Sequence, residues 1–441
     1  NPDDIANILC TTFNKMMVLI VTLADKHQAC PYCGFTAPKI KEYVTKEITH
    51  SALTTQKCII KYRARRYKCS CCGKTYYEFN PFVFKSQKIS ILTVHNILKD
   101  LKDFNETFTS VARRYHVSPT SVSTIFDKHV DIGRNPLPEI INFDEVYAFK
   151  SEKSKYVCVL LDFKKQIPVD VLPNRKKEYL LNYFQKIPLE ERKKVKYACS
   201  DMYEVYRDVV HKVFPSCCML LDYFHLSQDF HRKMNEVRIK VMKGYKDNKA
   251  SDEYYLLKKF NWLLFKNPED EDKYGRLFDV ERERKYNSHF KSYMNYYDLR
   301  KKLLEINNDL TICYSLKLEL VDFYSKSTID NAKVNLENLI RSCIDTNIDE
   351  MIAFSNNLIN WKQEIINSFT IVGTEYKVEA DKGQVVVCNK KVNNAIIENR
   401  NKIIKCIKNN ANGYTNWSRF RNRVMYVLDP NATFSLEPRE K

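Results

Sequence analysis

The stretch from Ile140 to Leu172 constrains the fold most, because it reads as three consecutive strands. Ile140–Lys150 is rich in β-branched and aromatic residues and carries Asp144 inside it. Tyr156–Asp162 is an almost unbroken apolar run, and Gln166–Leu172 follows a short charged turn and stops at Pro173. A carboxylate in the middle of an apolar strand is costly unless its charge is compensated. A metal ion is one such compensator, and further carboxylates elsewhere in the chain would have to share it.

The pattern after Pro173 alternates. Asn174–Ile187 is a helix ending at Pro188, Val195–Cys199 a strand, Met202–Phe214 a helix, and Cys217–Leu221 a strand leading into Asp222 and His225. The order β-β-β-α-β-α-β predicts a ribonuclease H-like mixed sheet within an α/β multidomain chain. Residues 226–388 are highly charged and mostly of helical spacing, with strand character returning only at Thr374–Cys388. They are expected to be a helical insertion whose tyrosines, Trp262 and Trp361 are core rather than base-stacking platforms. The last segment gives a helix over Val392–Asn409, with Gly413 just past its end, and a second over residues 416–428.

Three units precede the sheet. Residues 3–26 read as one amphipathic helix that packs on the next domain or forms a dimer contact. Two Cys-x-x-Cys knuckles, Cys30/Cys33 and Cys69/Cys72, are each followed by glycine and flank a strand over Lys57–Lys68. That is the spacing of a zinc ribbon, four thiolates around one structural Zn²⁺. Cys71 competes for a place in the second knuckle, and the spacing favours Cys69 and Cys72. Arg63, Arg65, Arg66 and Lys68 on the intervening strand suit phosphate contact. Residues 88–130 are helical, and Thr107–Val130 has helix-turn-helix form. Ser118 caps the second helix and Pro119 stands in its first turn, which leaves Ser121, Ser123, Thr124 and Lys128 to reach a DNA groove. The expected boundaries are an N-terminal helix at 1–26, the ribbon at 27–85, the helix-turn-helix at 86–134, a linker at 135–139, the first part of the sheet domain at 138–225, the insertion at 226–388 and the closing helices at 389–441.

A formal net charge of +18 points to a polyanionic partner, nucleic acid before a membrane surface. No stretch approaches the roughly 20 apolar residues of a spanning helix and no signal-peptide layout is present, so a cytoplasmic, nucleoid-associated protein is expected. Fifteen cysteines in a long chain of this kind read as reduced thiols with some binding metal. With eight glycines and neither GxxxxGK nor GxGxxG, a glycine-rich phosphate loop is excluded.

Asp144 in mid-strand, Asp201 at a strand end and Glu398 beside an apolar helix face converge in a ribonuclease H-like sheet. Three carboxylates at one site repel, and two Mg²⁺ or Mn²⁺ ions about 4 Å apart would relieve the repulsion and serve phosphoryl transfer on DNA. Asp162 and Glu145 compete for the first position; Asp162 leads into a turn, and Glu145 should face away from Asp144. Lys402 and Lys405, one and two turns past Glu398, are placed to hold DNA phosphates, and Asn394 and Asn401 to orient the carboxylate or a phosphate.

Taken together, these motifs resemble the ISL-three family, DDE transposases of bacterial insertion sequences. The resemblance spans nearly the whole chain. It rests on the paired knuckles, the helix-turn-helix, FDEVYAFKSEKSKYVCVLLDFKKQIPVDVLPNR, SDMYEVYRDVVHKVFPSCCMLLDYFHL and VNNAIIENRNKIIKCIKNNANGYTNWSRFRNRV. It implies Asp144, Asp201 and Glu398 as the catalytic triad, with Asp222 and His225 bracing the site rather than binding the catalytic metals. Asn394 and Asn399 stand where the family usually has glycine. The implied function is cut-and-paste transposition: binding terminal inverted repeats as a homodimer on double-stranded DNA, hydrolysing a phosphodiester and joining the freed end to target DNA. The alternatives are a catalytically inactive DNA-binding regulator of transposase descent and a ribonuclease H-like nuclease without strand transfer.

Overall fold

The computed structural model describes residues 2–26, 29–36, 38–51, 56–84, 87–149, 154–378 and 385–439. The chain begins with a β-sheet. Strands β1 (Ile5–Phe13), β2 (Met16–Leu23), β3 (Lys39–Thr49), β4 (Cys58–Lys68) and β5 (Thr75–Tyr77) form one sheet of order β1-β2-β4-β3, with β5 also on β4.

The helix expected over 3–26 is therefore a hairpin. Asn14 and Lys15 both adopt positive φ, 49° and 61°, the two-residue turn that matches strand twist. On β2, Leu19, Val21 and Leu23 face one core with Ile48, Ile60 and Tyr62, a period of two rather than 3.6. The segment's β-branched residues suit that pleated surface better than a helix. β1 is left as an edge on which Ile8, Leu9 and Phe13 are all more than half exposed.

Helices α1 (Ile91–Asp100), α2 (Phe108–Arg114) and α3 (Pro119–His129) follow. Thr107 caps α2 and Ser118 caps α3, each accepting an N–H one turn on. His116, in the tight turn between α2 and α3, has φ 54°. Val94, Ile97, Val111, Val122 and Phe126 fill the core of this unit. The expected linker 135–139 is pinned rather than free: the Asn135 N–H reaches Val169 O at 2.9 Å, and the Leu137 N–H reaches Glu191 Oε1 at 2.8 Å.

The central sheet contains β6 (Ile140–Val146), β7 (Val157–Asp162), β8 (Ile167–Leu172), β9 (Tyr197–Ser200) and β10 (Cys218–Leu221), in the order β10-β9-β6-β7-β8. β7 runs antiparallel to both β6 and β8, while β9 runs parallel to β6 and β10 parallel to β9. Lys150, placed in the first strand from the sequence, lies outside the described residues. Helices α4 (Lys177–Gln185), α5 (Leu189–Arg192) and α6 (Glu204–Val213) connect the strands, and α4 and α6 cover one face through Phe143, Leu160, Phe184 and Tyr206.

α7 (Tyr223–Lys243) starts directly after β10, so the expected boundary at 225/226 falls inside a helix. The insertion continues with α8 (Asp252–Lys259), two small hairpins, β11 (Glu271–Asp272) with β12 (Gly275–Arg276) and β13 (Lys285–Asn287) with β14 (Ser292–Met294), then α9 (Tyr296–Glu305), α10 (Asn308–Lys326), α11 (Ala332–Asp345), α12 (Asp349–Asn360) and α13 (Lys362–Asn367). It has its own core, built on Phe230, Leu257, Leu310, Phe354 and Trp361. α13 covers β10, and Asn367 Nδ2 donates to Met219 O at 2.9 Å.

A hairpin of β15 (Ile371–Val378) and β16 (Val385–Lys391) leads back to the sheet, so the boundary drawn at 388/389 cuts β16; residues 379–384 lie outside the described set. Helices α14 (Ala395–Asn410) and α15 (Trp417–Leu428) then cover the second face of the central sheet, through Val146, Val159, Ile397, Ile404 and Phe420. α15 also docks on the three-helix unit. Buried Arg423 donates to the carbonyls of Asp103 and Glu106 at 2.8 and 2.7 Å, and the Tyr426 hydroxyl to Leu98 O at 3.0 Å. Among the described residues no helix is long and apolar enough to cross a membrane.

Candidate active site

Alternation along β6 decides which side chains meet α14. Asn142, Asp144 and Val146 face the α14 side, whereas Phe143 and Glu145 face α4 and α6. Glu145 is consumed there by an ion pair with Arg175 and by the Tyr206 hydroxyl at 3.3 Å. Asp162 accepts the N–H groups of Lys164 and Lys165 and so closes a turn, as its place in the sequence suggests. Asp144 is left facing α14. Its Oδ1 accepts the Glu145 N–H at 2.7 Å and its Oδ2 the Asn401 side-chain amide at 2.8 Å.

Asp201 follows the carboxyl end of β9, and Asp222 the carboxyl end of the neighbouring β10. Parallel strands ending side by side leave a crevice at that edge, the usual place for a ligand in such sheets. His225 stands in the first turn of α7 and Glu398 in the first turn of α14. His225 Nε2 lies 3.8 Å from Asp222 Oδ2 and 3.8 Å from Glu398 Oε1. Glu398 and Asn401 are three residues apart on one helix face, so the helix that brings Glu398 to the crevice also holds Asp144.

Two asparagines fasten the start of α14 to β6. The Asn142 amide donates to Asn394 Oδ1 at 2.7 Å and to Asn393 O at 2.8 Å, and the Asn394 amide points back to Phe143 O at 3.4 Å. The Asn394 N–H reaches Asp222 Oδ1 at 3.3 Å. Asn394 is thus a fully buried strap. Reading the sequence alone misses Asn142, although an amide two residues before Asp144 in an apolar strand is a visible signal.

The electrostatics call for a cation. Burial, opposed by the Glu145 N–H and aided by the charges of Asp201 and Glu145, pushes the Asp144 carboxyl up to about 7. Burial and the Glu145 charge push Asp201 up to about 6. Burial also raises Asp222, with Glu398 adding to the shift and His225 and the Asn394 N–H opposing it. Asp201 Oδ1, Asp222 Oδ2, His225 Nε2 and Asn401 Oδ1 are buried without a hydrogen-bond partner. Unpartnered oxygens on crowded buried carboxylates are what a divalent ion would satisfy, so these residues fit one.

A family model for transposases, ISL3, matches residues 141–380, more than half of the chain. This chain belongs to the ISL3 transposase family. It is also similar to the transposase for insertion sequence element IS1001 of Bordetella parapertussis, at 19% identity over 409 residues, covering 92% of this chain and 90% of that protein. The matched stretch of this transposase takes in Asp144, Asp201, Asp222 and His225, and Glu398 lies beyond its end.

The second cluster is the pair of knuckles. Cys30, Cys33, Cys69 and Cys72 place their sulfurs within 4.8 Å of one another, and Cys71 is exposed outside the set. The Cys30–Cys72 and Cys33–Cys69 separations are 3.7 and 3.5 Å, near the roughly 3.8 Å edge of a tetrahedron with ~2.3 Å Zn–S bonds. Gly34 and Gly73 turn at φ 73° and 69°, and each donates its N–H to the carbonyl of its knuckle's first cysteine. The Cys72 N–H directed at the Cys69 sulfur helps bring that thiol down to about 7.

Several expected DNA contacts are otherwise engaged. Arg65 is turned inward, paired with Glu78 at 2.9 Å and donating to Leu23 O and Ala24 O. Arg66 pairs with Glu42 at 2.7 Å, leaving Arg63 and Lys68 exposed. Alternation on β4 puts Arg63 and Arg65 on one face and Arg66 on the other, so what turns Arg65 inward is its partner Glu78, which a basic run alone does not reveal. On α3, Ser123 is buried and donates to Thr120 O, and Ser121 shares a 2.8 Å hydrogen bond with the capping Ser118. Thr124 is exposed and Lys128 half-buried. Lys402 and Lys405 are both exposed on α14, while Asn394 and Asn401 are buried against the carboxylates.

Proposed function

We propose that this transposase cuts and joins DNA at a ribonuclease H-like site formed by Asp144, Asp201 and Glu398. The reading is carried by the convergence of buried carboxylates, two of them held up near neutrality, with the unpartnered oxygens of Asp201 and Asp222 beside the helix that bears Glu398. The order of the central sheet and the α14 cover support the ribonuclease H-like assignment.

Asp144, Asp201 and Glu398 would hold two divalent cations, Mg²⁺ or Mn²⁺. When bound, these supply Lewis-acid activation of the attacking hydroxyl and stabilise charge on the leaving oxygen. The chain's own groups set the geometry. Asn401 orients Asp144, Asp222 ties down the first turn of α14, and Asn142 with Asn394 fixes that helix against β6. Lys402 and Lys405, exposed on α14, hold phosphates of the strand being cut. Hydrolysis of a phosphodiester at the element end frees a 3′-hydroxyl, which then attacks a target phosphodiester in line.

The four-cysteine unit with one structural Zn²⁺, together with α2 and α3, reads the element ends through Arg63, Lys68, Thr124 and Lys128, with Arg113 exposed beside them. The insertion offers a cavity of about 660 Å³ whose lining mixes Tyr274, Tyr286, Arg276 and Lys285 with the carboxylates of Asp272 and Glu283, and its tyrosines and cations would meet flanking DNA. The apolar edge of β1 supports pairing with a second copy, which would hold two ends together.

The test is a supercoiled plasmid carrying the element ends, incubated with Mg²⁺ and a target plasmid. The wild type should nick at the ends and join them to target, and Asp201→Asn and Glu398→Gln should do neither. Nicking that survives both substitutions refutes the site. Nicking without joining leaves a nuclease and refutes the transfer step.

A further inference from the structure

Among the described residues, the acidic side chains that close up with a histidine are not those of the expected triad. Ligand atoms of Asp222, His225 and Glu398 all lie within 4.8 Å of one another, and Asp144 and Asp201 stand outside that trio. The two His225 separations, 3.8 Å to Asp222 and 3.8 Å to Glu398, are too long for hydrogen bonds. They are close to what two ligands of one ion adopt at bond lengths of ~2.0–2.2 Å, roughly 3–4.2 Å depending on the bond angle.

A second, independent observation points into the same space. Asp222 is 3% exposed, and its Oδ2 has no partner, nor has His225 Nε2. Asp222 Oδ1 is already taken by the Asn394 N–H, so only Oδ2 is free to turn toward the trio. A buried carboxylate oxygen and a ring nitrogen facing each other without contact form an incomplete arrangement, costly unless something sits between them.

We propose that Asp222, His225 and Glu398 form a divalent-cation subsite of their own, selective for ions that accept an imidazole ligand. One imidazole and two carboxylates suit Mn²⁺ or Zn²⁺ better than Mg²⁺, which takes oxygen ligands in near-ideal octahedral geometry. The inference rests on the reading of the active site given above and deepens it: Glu398 is shared, so an ion here fixes the one carboxylate of the proposed triad that comes from α14. It differs from the resemblance, under which Asp222 and His225 only brace the site.

The test uses full-length protein with its zinc content measured, titrated with Mn²⁺ and examined by pulsed electron paramagnetic resonance for coupling to a directly bound ¹⁴N. The wild type should show a nitrogen-coupled Mn²⁺ that excess Mg²⁺ does not displace. The coupling should vanish in His225→Gln, with at least a tenfold loss of affinity for that ion, and persist in Asp201→Asn. Asp222→Asn keeps an oxygen for the Asn394 N–H while removing the charge, and should weaken the same ion. Mn²⁺ bound to the wild type without nitrogen coupling overturns the proposal, whatever the variants do. Plasmid nicking by the wild type is scored separately: nicking without nitrogen coupling fails this subsite alone, whereas nitrogen coupling without nicking fails the transposition reading and leaves the subsite standing.

Discussion

Removing the charge of Asp144 should stabilise the protein when divalent ions are absent. The carboxyl is raised from 3.8 to about 7, chiefly by burial. Below about pH 4 the folded and unfolded chains both keep the proton, and the group costs nothing. As pH rises from about 4 to 7 the unfolded chain releases its proton first, so stability falls, and it levels off above about pH 7. About three pH steps at roughly 1.4 kcal/mol each give a loss of about 4 kcal/mol by pH 8. An asparagine at this position has one oxygen for the two N–H donors of Glu145 and Asn401, which returns about 1 kcal/mol. Asp144→Asn should then be about 3 kcal/mol more stable than the wild type at pH 8 and close to it at pH 4. For a unit of this size that is about 5–10 °C in melting temperature. The assay is thermal unfolding across pH 4–8 in buffer freed of divalent ions by resin, with zinc content checked so that the four-cysteine unit stays loaded. Adding Mn²⁺ should raise the wild type by more than the variant, which loses Asp144 but keeps Asp222, His225 and Glu398. A melting difference that stays flat with pH, or a wild type that gains on the variant as pH rises, refutes the claim that Asp144 is a strained, uncompensated charge.

Other substitutions separate roles that share a surface. Cys69→Ser should release zinc and loosen the first sheet, whereas Cys71→Ser should keep a full zinc equivalent by metal analysis, because its thiol lies outside the cluster. Arg63→Ala should weaken binding to duplex DNA and flatten its salt dependence without moving the melting temperature; Arg65→Ala should cost about 2–4 kcal/mol, since it strands the nearly buried Glu78. Asn142→Leu should leave the sheet folded but free the start of α14, read as a loss of nicking with faster amide exchange over Ala395–Asn401.

Short-range chemistry is legible in the sequence, and long-range partnership is not. The knuckles announce themselves because thiolate spacing and glycine turns are local, and the β6–β10 order follows from apolar runs and breakers in sequence. The first hairpin reads wrongly as a helix because apolar residues at mixed spacing fit a helix as well as a strand, and the deciding Asn14-Lys15 turn carries no glycine. Arg65 resembles its neighbours in sequence, and only the fold shows Glu78 beneath it. Asn394 stands out in sequence as a departure from the resembling family, and its partner proves to be Asn142, on a strand 252 residues earlier. The carboxylates can be named from the sequence, but how they pair depends on where α14 begins.

The three-helix unit is tied to the central sheet through α15. α15 buries one set of side chains in the sheet and another in that unit, and Arg419 clasps Asp127 on α3. Only residues 411–416 separate α15 from the helix that carries Glu398. If α3 grips DNA as proposed, α15 and the short corner before it join that grip physically to the helix that carries Glu398, so a load on α3 has a direct route to the acidic crevice.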